Sequence, residues 1–153
     1  KVPDSVLVLV GEGSERPALE ARAAGHRDRV HFLPFTNQSE MPSVLALADV
    51  VALPSRGIYE TWGLVVNEAM HLGIPCLVSD RVGCQRDLVT EGETGWVFPA
   101  GDPAALAAAL LRAAAALRAD RTGWRNRVAA RIAGYTFARA AAGLREVLTA
   151  IAS

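Results

Sequence analysis

Lysine is nearly missing from these 153 residues: Lys1 is the only one, and every other basic residue is an arginine. Basic and acidic side chains number 16 each, so the formal net charge is zero. Without a surplus of positive charge, no global field draws the chain onto nucleic acid or an anionic membrane. Cysteine is scarce as well. Cys76 and Cys84 are too few for the disulfide framework of a small secreted domain. We expect two free thiols in a reducing, cytoplasmic compartment. No stretch approaches the ~20 apolar residues of a membrane span. Pro3 and Asp4 stand where a signal peptide needs a basic start and an apolar core. An initiator Met is absent too, and a strand pattern begins almost at once. That is the look of a segment cut from something longer. His26, His31 and His71 are scattered without metal-ligand spacing, so no metal site is expected.

Half of the residues are hydrophobic and about a fifth are charged, as in an ordinary globular domain with one core. The run SVLVLVG (5–11) reads as a strand buried on both faces. Ser14 is placed to cap a helix with Leu19 on its inner face. RVHFLPF (29–35) is the second strand, and residues 39–48 read as a helix opening at Ser39 or Ser43, with Leu45 and Leu47 apolar. DVVALP (49–54), IPCLVSD (74–80) and TGWVF (94–98) complete five strands, with helices over 63–72 and 84–89. Asp102 followed by Pro103 predicts an N-cap and a first helical position. That alanine-rich helix runs to Arg118, and another covers about 121–133 and stops at Gly134. Thr136 caps a last helix with Phe137, Ala141, Leu144, Leu148 and Ile151 on one stripe. Alternating strands and helices imply an α/β fold: a mostly parallel sheet with helices on both faces, followed by a helical tail. Ligands of such sheets bind beyond the carboxyl ends of the strands, where the loops 11–14, 34–38, 54–62, 79–84 and 99–102 fall.

The stretch PSRGIYETWGLVVNEAM (54–70) is the most informative of these. A strand ends at Pro54, a polar loop carries Glu60, and Gly63 opens a helix with Glu68 in its second turn. The first N–H groups of a helix have no partner inside it and form an anion site. Two carboxylates beside that site suit a ligand with both phosphate and hydroxyl groups, as a sugar nucleotide has. Taken alone, Glu60 is a loop charge, and Asn67, Glu68 and His71 are a solvated arc on an otherwise apolar helix. Gly11-Glu12-Gly13-Ser14 starts like a dinucleotide fingerprint, but Arg16 stands where the third glycine belongs. It is either a tight turn or a turn that lets a ligand approach the backbone. Asp80 and Arg81 are ligand contacts or parts of a turn, on equal footing. Cys76 reads as core, and Cys84 lacks a base that would make it a nucleophile.

In order, VGEGSERPALEARA, RVHFLPF, ADVVALPS, ETWGLVVNEAM, GIPCLVSDRVGCQRDLV and EGETGWVFPAGDPAALAAAL cover nearly the whole chain. Together they resemble glycosyltransferase family 4, the glycosyl transferases group 1, with Glu60 and Glu68 as the two acids of its Glu-x7-Glu signature. The resemblance implies a GT-B enzyme, two Rossmann-like domains facing a cleft. Residues 1–153 would be the C-terminal, nucleotide-sugar-binding half, without the N-terminal acceptor domain and the first part of its own domain. Glu68 would hold the ribose hydroxyls. Glu60, the catalytic acid of the signature, would contact the donor sugar. Thr61, Trp62, Gly63, Leu64 and Val65 would meet sugar and diphosphate through their N–H groups. Gly11 and Gly13 would line the same cleft, and Leu33 to Phe35 would border the base.

The implied reaction is a metal-independent, cofactor-free transfer of a hexose-type sugar with retention, by attack on the face from which the diphosphate leaves. The partners implied are a nucleotide-sugar donor and the missing acceptor domain; nucleic acid is not among them, and any peripheral membrane contact would come through the missing half. Departures are Glu60-Thr61-Trp62-Gly63 in place of the usual Glu-Gly-Phe-Gly, and a loop lengthened by Arg56 and Gly57. The family's upstream arginine and lysine, which neutralise the diphosphate, are absent. The isolated chain is therefore expected to be inactive. The alternatives are a sugar-nucleotide epimerase of related fold, or a non-catalytic nucleotide-binding or regulatory domain.

Overall fold

The computed structural model describes residues 4–152. They divide into two compact units, one up to Val44 and one from Leu45 onward. In the first unit, strand β1 (Leu7–Val10) pairs in parallel with β2 (Val30–Leu33), with Leu7 opposite Val30 and Val10 opposite Leu33. Helix α1 (Arg16–Ala23) and a 3-10 turn (Ala24–His26) connect them. Helix α2 (Met41–Leu45) follows β2.

Several expectations fail here. β1 is not buried on both faces: Leu7, Val8 and Val10 are exposed. An apolar run has the same sequence whether one strand or two flank it, and among the described residues β1 has a ladder neighbour on one side only. Ser14 does not cap α1. The Arg16 N–H donates to the Gly13 carbonyl at 3.1 Å, so a backbone turn closes that end, and Leu19 is partly exposed rather than on an inner face. α2 is also shorter than residues 39–48. Asn37 starts it, its side-chain oxygen accepting from Ser39 N–H at 3.0 Å and its carbonyl from Met41 N–H at 3.0 Å. Leu45 is buried, but Leu47 lies beyond the helix in the open.

The second unit is built on three parallel strands in the order β3 (Val51–Leu53), β4 (Cys76–Ser79), β5 (Gly95–Phe98). The parallel strands therefore form two ladders rather than one continuous sheet among the described residues. Helix α3 (Leu64–His71) links β3 to β4, and α4 (Gln85–Leu88) links β4 to β5. The central strand β4 is buried at every position, as its apolar sequence predicts.

Helix α5 (Pro103–Ile132) starts as expected, with the Asp102 carboxylate accepting from the N–H groups of Ala104 and Ala105, both at 2.9 Å. Its buried residues come in two sets at four-residue spacing: Ala109, Ala113 and Leu117, then Trp124, Val128 and Ile132. The sets meet at Asp120, whose φ of −152° and ψ of 69° break the helix. Asp120 then caps the second half by accepting from Gly123 N–H at 2.8 Å. The two expected helices are thus both present, meeting at this kink. Trp124 stacks on Trp96 of β5 with ring centroids 4.4 Å apart, which closes the core around Leu77 and Phe98. Burial of each such side chain stabilises the fold by roughly 1.5–3 kcal/mol.

Helix α6 (Phe137–Ala152) is capped by Thr136, whose hydroxyl accepts from Arg139 N–H at 3.2 Å. Its apolar stripe does not pack: α6 buries no residue, and Phe137, Leu144, Leu148 and Ile151 are exposed among the described residues. Both cysteines are buried free thiols. None of the described helices is long and apolar enough to cross a membrane.

Candidate functional site

Parallel strands put the carboxyl ends of β3, β4 and β5 at one edge, and the loops leaving that edge are laced together. Ser79, the polar end of β4, is fully buried and donates through its hydroxyl to the Ser55 carbonyl at 2.5 Å. The same hydroxyl accepts from Arg81 N–H at 3.3 Å. The Ser55 hydroxyl donates to Glu60 Oε2 at 3.4 Å. Gly83 N–H donates to the Glu60 carbonyl at 3.1 Å, and Cys84 N–H to the Trp62 carbonyl at 2.8 Å. Asp80 is a turn residue: its carboxylate accepts from Ala100 N–H at 2.9 Å and ties down the loop after β5. Arg81 is exposed beside it.

Gly63 is the hinge between loop and helix. Its φ of 99° is a left-handed conformation, and a Cβ there would meet Val82 Cγ1 at 2.9 Å. From this point α3 begins, with the N–H groups of Leu64 and Val65 in its first turn and without intrahelical acceptors. Val66 N–H already bonds back to the Gly63 carbonyl at 2.9 Å. Thr61 and Leu64 are exposed; Trp62 and Val65 are half-buried. Glu60 and Glu68, both half-buried, flank this helix start in sequence, one before it and one in its second turn. The Glu68 carboxylate makes no hydrogen bond or ion pair among the described residues. The structure therefore gathers Glu60 through Glu68 on one strand–loop–helix turn in the second unit.

Gly11, Gly13 and Phe35 belong to the first unit, after β1 and β2. Gly11 N–H donates to the Leu33 carbonyl at 3.2 Å. Arg16, the residue that breaks the glycine fingerprint, donates to the carbonyls of Gly11 and Leu33, both at 3.0 Å. It also pairs with Glu12 and Glu20 and lies over the Phe32 ring. An arginine there ties the ends of both strands together, which the glycine reading alone did not reveal. Phe35 is exposed.

A model of the glycosyl transferases group 1 matches residues 1–116. The chain belongs to that family. The D-inositol 3-phosphate glycosyltransferase of Nocardia farcinica is 38% identical over 146 residues, 92% of this chain and 31% of that protein. The alpha-D-kanosaminyltransferase of Streptomyces kanamyceticus is 39% identical over 98 residues, 63% of this chain and 25% of its own length. Among solved structures, Anabaena HepE in complex with UDP-glucose aligns with a TM-score of 0.75 and 25% identity, over 97% of this chain and 42% of HepE. Sucrose-phosphate synthase of Thermosynechococcus elongatus aligns with a TM-score of 0.72 and 31% identity, over 98% of this chain and 40% of its own. These neighbours have the GT-B architecture, and the Rossmann-like parallel strands with helices on both faces agree with it. The chain spans about a quarter to a third of the curated relatives it matches.

In this chain the thiols are unsuited to nucleophilic work. Burial pushes the Cys84 pKa up to about 11; a backbone hydrogen bond opposes that, and the charges of Glu60 and Asp87 add to it. Cys76 is pushed up further by burial, with Cys84 adding to the effect. Two side chains near the site stand apart from the sequence reading: Asn67, expected on a solvated arc, is half-buried, and Tyr135 carried no signal. Asn67 Oδ1 is buried on α3 without a hydrogen-bond partner. Tyr135, between α5 and α6, sets its ring 6.3 Å from that of Trp62.

Proposed function

We propose that this chain is the donor-binding part of a retaining glycosyltransferase that moves a hexose-type sugar from a nucleotide diphosphate to an acceptor hydroxyl without a metal. One observation carries the reading: α3 starts at a left-handed glycine, with Glu60 before it and Glu68 in its second turn. A carboxylate accepts from two hydroxyls at once, which suits Glu68 to the ribose diol. Glu60 is held by Ser55 and Gly83, so its carboxylate is positioned for the sugar hydroxyls. The N–H groups from Gly63 to Val65 favour negative charge through the helix dipole. That charge grows on the diphosphate as its bond to the anomeric carbon breaks, so stabilisation there lowers the barrier to departure. The acceptor attacks on the same face in this reading, which leaves no need for a protein nucleophile.

The UDP-glucose bound to HepE supports a nucleotide-sugar donor of this kind. The assignment of Gly11, Gly13 and Phe35 to the donor rests on the resemblance alone. The acceptor is assigned to the remainder of a longer polypeptide, which would act in the cytoplasm and make any peripheral membrane contact itself. The 153-residue chain alone is then inactive, and measurable sugar transfer by it would overturn that division of labour. Ligand-observed NMR with UDP-, GDP- and ADP-glucose tests the donor reading. Saturation transfer to one of them is expected, and its loss in Glu68→Ala. Absence of binding by all three, or equal affinity in wild type and Glu68→Ala, overturns it.

A further inference from the structure

Tyr135 touches three of the site's supports: Trp62, His71 and Asp87. It lies in the short link between α5 and α6, after Ile132, whose carbonyl accepts its N–H at 2.8 Å. Its ring faces Trp62, tilted by 34°. Its carbonyl accepts from His71 Nε2 at 3.2 Å, at the far end of α3. Its hydroxyl donates to the Asp87 carbonyl of α4 at 3.4 Å, where Arg131 also donates. One side chain and its backbone thus touch the loop before α3, the end of α3, and α4. Trp62 is itself fixed at its carbonyl by Cys84 and precedes Gly63, the residue that aims the first turn of α3.

We infer that Tyr135 is a positioning residue for the donor site. By packing against Trp62 while anchored to α3 and α4, it sets the placement of Glu60 and of the N–H groups from Gly63 to Val65. The inference rests on the donor reading for what those groups bind, and on the contacts above for the positioning itself. A ring–ring contact has the right physics: it is directional, and the indole loses its seat when the partner ring is removed.

The test uses the isotope-labelled 153-residue chain, whose three indole N–H signals report Trp62, Trp96 and Trp124 separately. Without ligand, Tyr135→Ala is expected to shift the Trp62 indole and the amides from Glu60 to Val65. The stacked Trp96 and Trp124 pair should stay in place. Tyr135→Phe keeps the ring contact and loses only the bond to Asp87, so it should shift these signals less than Tyr135→Ala does. With whichever of UDP-, GDP- or ADP-glucose binds best, Tyr135→Ala should raise the dissociation constant about threefold to tenfold. If Tyr135→Ala does not fold, Tyr135→Leu keeps the bulk without the ring and is expected to show the same shifts. An unmoved Trp62 signal, a common shift of all three indoles, or equal damage from Tyr135→Phe overturns the inference. If no nucleotide sugar binds the wild type, the donor reading fails, while the unliganded spectra still decide the role of Tyr135.

Discussion

The backbone N–H of Gly83 donates to the carbonyl of Glu60 at 3.1 Å. Cys84 repeats the contact to Trp62 one residue on. These two rungs tie the loop after β4 to the loop after β3, so an irregular segment is held almost as a strand pair would be. Gly83 can sit there because it has no side chain: a Cβ would overlap the Thr61 carbonyl oxygen. Gly83→Ala should therefore destabilise the fold by about 1–3 kcal/mol and displace Glu60. Urea unfolding reads the first effect and the loop amide shifts read the second; wild-type values for both would refute the close approach.

The two acids should separate in their effects. Glu68→Ala is expected to weaken nucleotide binding about tenfold to a hundredfold, the range for hydrogen bonds to a charged group. Glu60→Ala should leave nucleotide affinity closer to wild type and reduce discrimination among donor sugars. Titrating free nucleotide and nucleotide sugar into each variant makes the comparison. Greater nucleotide loss in Glu60→Ala would reverse the roles.

Alkaline pH should act through Cys84. Its folded pKa of about 11 lies above the ordinary 9.0, so the native state holds the proton more tightly than the unfolded chain does. That contribution is fully present below about pH 9 and is lost as pH rises through about 11. Urea midpoints measured at about pH 8 and about pH 10.5 should fall further for wild type than for Cys84→Ala. Parallel slopes would show that the thiol is not responsible. In native protein near neutrality, both thiols should react with disulfide reagents only on unfolding.

Asp102→Ala removes two acceptor contacts at the start of α5. The expected cost is about 1 kcal/mol, a fall in Tm of roughly 2–4 °C for a chain of this size. Asp102→Asn should recover most of it. A thermal melt monitored by circular dichroism is sufficient, and an unchanged Tm in the alanine variant would remove the cap from the account.

Much of this architecture is legible in the residues themselves, for reasons that differ by element. The strands show because short apolar runs end at Gly, Pro or Asp. The start of α5 shows because an N-cap and a proline are local signals. The turn from Glu60 to Glu68 is visible as a pattern, while the laces that hold it are not. Ser55, Ser79 and Gly83 are ordinary residues until three strands place them at one edge. Asn37 outcompetes Ser39 as a helix start through a turn that spacing alone does not choose. Tyr135 lies 64 residues from His71 along the chain, and no local periodicity links them. The exposure of β1 and of the α6 stripe is likewise a tertiary outcome, since apolar spacing marks a face without saying what covers it.

The unequal burial of the strands has a kinetic consequence. β4 has a ladder partner on each edge and no exposed side chain, so its amides are released only by near-global opening. β1 has one partner and three exposed residues of four, and its opening needs far less free energy. Deuterium is therefore expected to enter β1 before it reaches β4 in a hydrogen-exchange experiment.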